Sequence, residues 1–176
     1  MSSFEAITRR GAIALLFAAL GGCGFRPLYA ARGPQDWDRD LAAIQVAPIS
    51  DRSGQILTLA LRENLNPGGT SVAPRWRLAT TLSIGRAELG IQRNATTIAS
   101  EVVISASYTV FDYKTGKPVL SGLSRATSDY DRLIDAYATT VAGDDAQDRA
   151  LHQVADEMAL RLAIFVRDQR NKTSSR

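Results

Sequence analysis

The chain has 176 residues, of which 45% are hydrophobic and 22% are charged, and its formal net charge is +3. This near-balanced charge argues against a nucleic-acid-binding domain, which concentrates Lys and Arg on one face. The single cysteine excludes an intramolecular disulfide, so the fold must depend on its hydrophobic core. The length suits one domain, and no apolar run approaches the roughly 18 residues of a membrane-spanning helix.

The N-terminus has the parts of a secretory signal peptide. Arg9 and Arg10 provide positive charge, and the run from Ala12 to Leu20 is an apolar core that is too short to span a bilayer. The run ends in Leu20-Gly21-Gly22-Cys23, whose small residues before the cysteine match the lipobox that lipoprotein signal peptidase recognises. We therefore predict that residues 1–22 are a lipoprotein signal peptide.

Cleavage at the lipobox would make Cys23 the first mature residue, carrying a diacylglycerol thioether and an N-acyl chain. Several acyl chains on one residue would hold the protein at a membrane, because a single chain binds only reversibly. Gly24 stands where Asp retains many lipoproteins at the inner membrane, so we expect the outer membrane. An ordinary signal peptide cut near an A-x-A-like site is the alternative, and the choice between general secretory and twin-arginine export stays open.

The first part of the mature chain is predicted to hold a tether, a strand and a helix. Residues 23–40 mix aromatic, basic, small and polar residues, which predicts a lipidated tether without regular structure. Residues 41–49 form the first predicted strand, which Pro48 ends. After a turn at residues 51–54, apolar residues recur at helical spacing up to the stop signal at residues 66–69, which predicts an amphipathic helix.

Three strands are predicted in the middle of the chain. Apolar and polar residues alternate from Trp76 to Ile84 and again over residues 98–110. Residues 112–117 have the composition of a hairpin loop, and residues 119–128 form the returning strand. The sequence leaves open whether Trp76 belongs to the core or to a contact surface. The predicted open face of the sheet carries small polar residues: Thr81, Ser83, Ser105, Ser107 and Thr109.

The chain closes with an irregular stretch and a helix. Residues 129–145 lack a clear period, whereas the residues from Leu151 to Phe165 repeat at helical spacing, and residues 171–176 are a polar tail. We predict a single α+β domain over residues 41–170 in the order β-α-β-β-β-α. Its four-stranded, mainly antiparallel sheet would be covered on one face by two helices.

No residue pattern indicates a catalytic or metal site. His152 is the only histidine, it has no cysteine partner, and no G-x-S-x-G nucleophile motif occurs. The aspartates between residues 129 and 148 lack the D-x-[DN]-x-[DN]-G spacing of a calcium loop, and helix capping and solvation explain them. We therefore expect neither enzyme activity nor a bound metal.

Basic residues at predicted strand ends and turns could gather at the two ends of the sheet: Arg75, Arg77, Arg86, Arg93, Lys114 and Lys117. Guanidinium groups suit bidentate contacts with phosphate, so such an end could hold an anionic glycolipid. The alternative is that each residue is an ordinary solvated surface charge.

The string Cys23-Gly24-Phe25-Arg26-Pro27-Leu28-Tyr29 resembles the start of the LptE lipoproteins of alphaproteobacteria. The predicted elements are similar to that family over nearly the whole chain. The resemblance implies a lipid-anchored protein on the periplasmic side of the outer membrane, which plugs the LptD β-barrel and takes part in lipopolysaccharide transport and insertion. It implies no enzyme activity and no cofactor apart from the acyl chains on Cys23.

The small polar face suits the polar barrel lumen that this resemblance implies. No short family motif marks the lipopolysaccharide contacts, so placement alone makes these residues candidates for lipid A phosphates: Arg86, Arg93, Lys114 and Lys117. The alternative function is an outer-membrane lipoprotein that scaffolds a different envelope complex without binding lipopolysaccharide. An accessory to a lipid- or ligand-binding enzyme ranks lower.

Overall fold

The computed structural model describes residues 34–88, 98–132 and 135–174. Within these ranges the helices are α1 (Pro34–Ala42), α2 (Asp51–Leu65) and α3 (Ala136–Ser174), and the strands are β1 (Ile44–Val46), β2 (Trp76–Glu88), β3 (Ile98–Asp112) and β4 (Pro118–Arg132). The predicted signal peptide and Cys23 lie outside the described residues. No helix within these ranges is both long and apolar enough to cross a membrane.

The strands form one sheet in the order β1-β2-β3-β4. β1 pairs parallel with the start of β2, with Ile44 opposite Trp76, whereas the β2–β3 and β3–β4 pairs are antiparallel. Trp76 also lies opposite Asp112, so β2 starts at the end of the sheet where β3 finishes. The sheet is mixed but mainly antiparallel, which confirms the predicted α+β fold with four strands.

The core lies between one face of the sheet and helices α2 and α3. Every second residue of β3 from Val102 to Val110 is almost fully buried, as expected for a strand with one covered face. The largest fully buried side chains include Leu57, Leu61, Leu65, Leu78, Ile104, Leu151, Met158 and Leu162. Burial of one such side chain contributes about 1.5–3 kcal/mol, so this layer is the main source of stability.

The opposite face of the sheet is covered by no element in the described part of the chain. Thr81, Ser83 and Ser107 are exposed on it, and Leu123 of β4 is 51% exposed. This face is named the open face below. Its small polar composition agrees with the alternation in the sequence.

The expectations for the first elements need correction. Residues 34–40 belong to α1 and are not a tether without regular structure, and the first strand spans only Ile44–Val46 instead of residues 41–49. Pro34 suits the first turn of a helix, where its missing N–H has no intrahelical partner. Leu41 is 7% exposed, so the end of α1 is part of the core.

The C-terminal helix is longer than expected. Residues 136–145, expected to be irregular, and residues 171–174 of the expected polar tail all belong to α3. Asp135 caps its start, because its Oδ1 accepts hydrogen bonds from the backbone N–H groups of Tyr137 at 2.8 Å and Ala138 at 3.4 Å. No proline interrupts residues 136–174, so nothing in the sequence ends the helix earlier.

Candidate functional site

A group of basic residues meets at the end of the sheet that contains the β3–β4 hairpin. This group, named the hairpin end, consists of Arg75, Arg77, Lys114, Lys117 and Arg170. The Tyr113 backbone N–H donates to the Arg75 carbonyl at 2.9 Å, which joins the hairpin to the start of β2. Arg170 comes from the last turns of α3 and lines a cavity of about 230 Å³ together with Arg75 and Trp76.

Asp112 holds the hairpin turn in one conformation. Its Oδ1 accepts hydrogen bonds from the Thr115 backbone N–H at 2.7 Å, the Thr115 hydroxyl at 2.8 Å and the Lys114 N–H at 3.1 Å. These bonds, above all those from Thr115, lower the pKa of Asp112 below its ordinary value of 3.8. Gly116 has φ = 65°, a left-handed conformation that glycine adopts without steric cost. The loop predicted at residues 112–117 is therefore an ordered turn.

The lysines of this turn are exposed cations, and the charge of Lys114 contributes to the lowered pKa of the neighbouring Asp112. Lys114 and Lys117 are both exposed. Neither they nor Arg77 has a carboxylate partner at salt-bridge distance among the described residues. Arg77 lies on the open face with its guanidinium carbon 5.3 Å from the ring centroid of Phe111. These cations are available to an anionic ligand.

Asp40 forms salt bridges with two arginines of the hairpin end, Arg75 and Arg170. Its Oδ1 is 3.6 Å from Arg75 Nη1, and its Oδ2 is 3.7 Å from Arg170 Nε. The Arg75 guanidinium also lies over the Trp76 ring, 4.6 Å from the centroid. Trp76 is only 6% exposed, and its ring packs edge to face against the Phe165 ring with 5.7 Å between the ring centroids. Trp76 therefore belongs to the core. This arrangement fixes Arg75 at the rim of the cavity.

Arg86 lies at the other end of the sheet. It pairs with Val102, about 33 Å along the strands from the hairpin at about 3.3 Å per residue. Its Nη2 donates to Gln147 Oε1 at 3.1 Å, and Gln147 Nε2 donates to Ser53 Oγ at 3.1 Å. Arg86 therefore links β2 to α3 and α2, and the neighbouring Arg132 forms a salt bridge with Glu88.

The structure thus separates the predicted lipopolysaccharide contacts. Lys114 and Lys117 lie together, Arg86 is at the far end, and Arg93 lies outside the described residues. Their role in binding stays a prediction. Arg170 was not among these candidates, although it belongs to the hairpin end. No local signal in the sequence could have placed it there, because only the length and direction of α3 bring it to the start of β2.

The chain has one histidine among the residue types that could ligate a metal ion. His152 is exposed on α3. The part of the chain that the structure describes contains no group of three or more His, Cys, Asp or Glu residues that could hold a metal ion.

Three solved structures with a similar fold are described as lipoproteins. A protein from Caulobacter crescentus CB15, described as a lipoprotein, matches with a TM-score of 0.63 and 22% identity, over 76% of this chain and 97% of that chain. The minor lipoprotein of Acinetobacter baumannii matches with a TM-score of 0.53 and 12% identity, over 69% and 88% of the two chains. The rare lipoprotein B of Shewanella oneidensis matches with a TM-score of 0.50 and 15% identity, over 72% and 96%. At these identities the likeness concerns the fold alone.

The sequence comparison identifies the family directly. No curated protein sequence matches this chain significantly. The profile of the LptE family, described as lipopolysaccharide-assembly, matches residues 41–163, which is well over half of the chain. That range contains the whole sheet, α2 and most of α3. The chain therefore belongs to the LptE family of lipopolysaccharide-assembly lipoproteins.

Proposed function

We propose that this protein is anchored through Cys23 on the periplasmic side of the outer membrane, binds LptD and takes part in the transport and insertion of lipopolysaccharide. The observation that carries the proposal is the LptE family match over residues 41–163. The lipobox at residues 20–23 supports the anchor. The LptE family is non-enzymatic and has no known cofactor, so the protein would act by binding and not by catalysis.

The hairpin end supports a contact with lipopolysaccharide. Lys114 and Lys117 are exposed on an ordered turn, and Arg77 adds a cation on the neighbouring part of the open face. Phosphate groups of lipid A are anions that ammonium and guanidinium groups bind through charge-assisted hydrogen bonds. At the opposite end Arg86 and Arg132 already have partners within the domain. The binding site for lipid A phosphates is therefore assigned to the hairpin end.

The open face supports a contact with LptD. Thr109 Oγ1 and Ser121 Oγ lie 3.2 Å apart on it, and Arg125 Nε donates to Ser105 Oγ at 3.1 Å. A surface of hydroxyl groups of this kind can exchange hydrogen bonds with the polar lumen of a barrel. The same surface would be an unusual core face, since unpaired buried hydroxyl groups are costly.

Co-purification tests the partnership with LptD. The full-length lipoprotein, extracted from cells in mild detergent, is expected to retain LptD in comparable amount through affinity purification. An unrelated outer-membrane lipoprotein, extracted and purified in the same way, is the control and should retain none. Recovery of a different envelope complex without LptD would contradict the proposal and favour the scaffold alternative.

A further inference from the structure

Most of the outer edge of β2 has no strand beside it in the described part of the chain. β1 pairs only with Trp76–Leu78, and the ladder ends where the Ala47 N–H donates to the Leu78 carbonyl at 2.9 Å. From Ala79 to Glu88 that side of β2 is unpaired, a length of about 33 Å at about 3.3 Å per residue.

Strand geometry shows which backbone groups face this edge. The carbonyl of Leu78 points towards β1, and the N–H and C=O groups of a strand change sides at every residue. The backbone groups of Thr80, Leu82 and Ile84 therefore point away from β3 and towards the unpaired edge. A row of free donors and acceptors of this kind is a template for another strand.

The two outer edges of the sheet differ in their protection. β4 begins at Pro118 and carries charged residues, including Arg125 and Asp129, which are features that discourage edge-to-edge pairing. β2 has no charged residue and no proline between Ala79 and Gly85. The β2 edge is thus the less protected of the two.

A groove runs beside this edge. It has a volume of about 450 Å³ and lies between the segment that follows β1, including Ile49 and Asp51, and the β2 residues Thr80, Leu82 and Ile84. Ile84 is 37% exposed, and the Thr80 hydroxyl is buried without a hydrogen-bond partner. On its other side the groove is bounded by the chain that leaves β1 and turns into α2 at Asp51, which has φ = 69°.

We propose that the β2 edge binds an extended segment of LptD, which adds a strand to the sheet in line with β1. This inference rests on the proposed function, because it assigns the contact site of the same partner. Alternate side chains of the added segment would be apolar beside Leu82 and Ile84 and small and polar beside Thr81 and Ser83. Continuity with the β1 ladder and the absence of charged residues from Ala79 to Gly85 select an uncharged strand as the occupant.

Matched proline substitutions at the two edges test the proposal. Ile84→Pro removes an N–H that faces the β2 edge, and the β2–β3 hydrogen bonds are kept because that N–H points away from β3. Leu123→Pro is the control on β4: Leu123 lies opposite Ser107, whose backbone groups point towards β2, so its own N–H faces outward. Both side chains are apolar and partly exposed, at 37% and 51%.

The readout is the amount of LptD that the full-length lipoprotein retains during purification in mild detergent. Ile84→Pro is expected to reduce it at least tenfold, whereas Leu123→Pro should retain the wild-type amount. Ile84→Ala keeps the N–H and should lose less LptD than Ile84→Pro. A photoreactive residue in place of Ser83, in an otherwise unchanged chain, should crosslink to LptD, and this measurement decides the question if Ile84→Pro does not fold.

These measurements distinguish a failure of strand addition at β2 from a failure of the proposed function. If the wild-type protein retains LptD and folded Ile84→Pro retains it equally well, strand addition at β2 is wrong and the proposed function stands. If the wild-type protein retains no LptD, both ideas fail. A crosslink from position 83 to a second copy of this chain would also overturn the proposal, because the edge would then be a self-association surface.

Discussion

Asp112 shows how one side chain sets the geometry of the hairpin end. A single carboxylate oxygen accepts three hydrogen bonds from Lys114 and Thr115, and it closes the turn that carries both lysines. The sequence predicted a hairpin loop at this place from its composition. It could not show that one oxygen of the aspartate accepts all three of these hydrogen bonds, because that depends on the backbone conformation of the turn.

Replacing Asp112 with Asn is expected to lower the thermal unfolding midpoint at neutral pH and to weaken its dependence on acid pH. The folded-state pKa of Asp112 lies below 3.8 because of the hydrogen bonds from Thr115. The stabilising contribution of the Asp112 carboxylate is therefore fully present above the ordinary pKa of 3.8. It is lost as the pH falls through the lowered folded-state pKa. Circular dichroism melting of wild type and variant from about pH 7 to about pH 2 measures both effects.

Asp131→Asn is the matched control, since Asp131 is exposed on β4. It should leave the acid dependence of the unfolding midpoint close to that of the wild type. Equal acid dependence in wild type and Asp112→Asn would show that the carboxylate charge does not stabilise the turn.

Gly54 illustrates a residue whose role the sequence misassigned. Its position within residues 51–54 suggested a turn before the helix, but α2 begins at Asp51 and Gly54 is buried inside its first turn. A Cβ at this position would lie 2.7 Å from Ile49 Cγ2 and 2.8 Å from the Ile49 carbonyl carbon. The close approach of two segments, and not a positive φ, requires glycine there.

At the level of elements, prediction from sequence worked where periodicity was long. The alternation in β3 predicted its buried and open faces, and the helical spacing in α3 predicted its core side. The helix α1 was not predicted, because residues 34–40 were expected to be part of an irregular tether, and the predicted bounds of β1 were wrong. A strand of three residues has too little periodicity to be recognised, and β1 exists because it pairs with the start of β2.

Charge reversal in the hairpin tests whether this element binds lipopolysaccharide. Lys114→Glu combined with Lys117→Glu is expected to weaken binding by about tenfold or more, which corresponds to about 1.4 kcal/mol. The opposite charge would repel the lipid A phosphates, and the wild-type affinity itself should fall as salt is raised. Surface-based binding of the purified full-length protein to lipopolysaccharide measures the change at matched ionic strength.

Arg52→Glu combined with Arg62→Glu provides the control for net charge, because both arginines are exposed on α2 and neither belongs to the hairpin end. This double variant should bind lipopolysaccharide nearly as well as the wild type. Equal losses in the two double variants would mean that overall charge, and not the hairpin end, governs binding.

At the level of the whole molecule, the proposed lipid anchor at Cys23 would determine where the domain acts. Cys23→Ser is expected to abolish lipidation, because serine offers no thiol for the diacylglycerol thioether. The mature protein should then lack the mass of its acyl chains and appear in the soluble periplasmic fraction. Intact mass spectrometry and cell fractionation measure these two changes.

Gly24→Asp is the companion variant for location. It should keep the acyl mass but move the protein towards the inner membrane, since Asp after the lipidated cysteine retains many lipoproteins there. An acylated Cys23→Ser protein, or one that remains in the membrane fraction without LptD, would argue against the lipobox.

The sequence alone predicts the lipobox, the α+β class and the two faces of the sheet, because each of these depends on contiguous residues or on a regular period, and the structure confirms the last two. Only the tertiary structure decided that Lys114 and Lys117 lie with Arg75 while Arg86 lies at the far end of the sheet. It also decided that Trp76 is in the core and that no described strand pairs with the outer edge of β2 beyond Leu78. Strand register and helix length bring residues together that are distant in the sequence. Neither of these can be inferred from the residues that flank any single position.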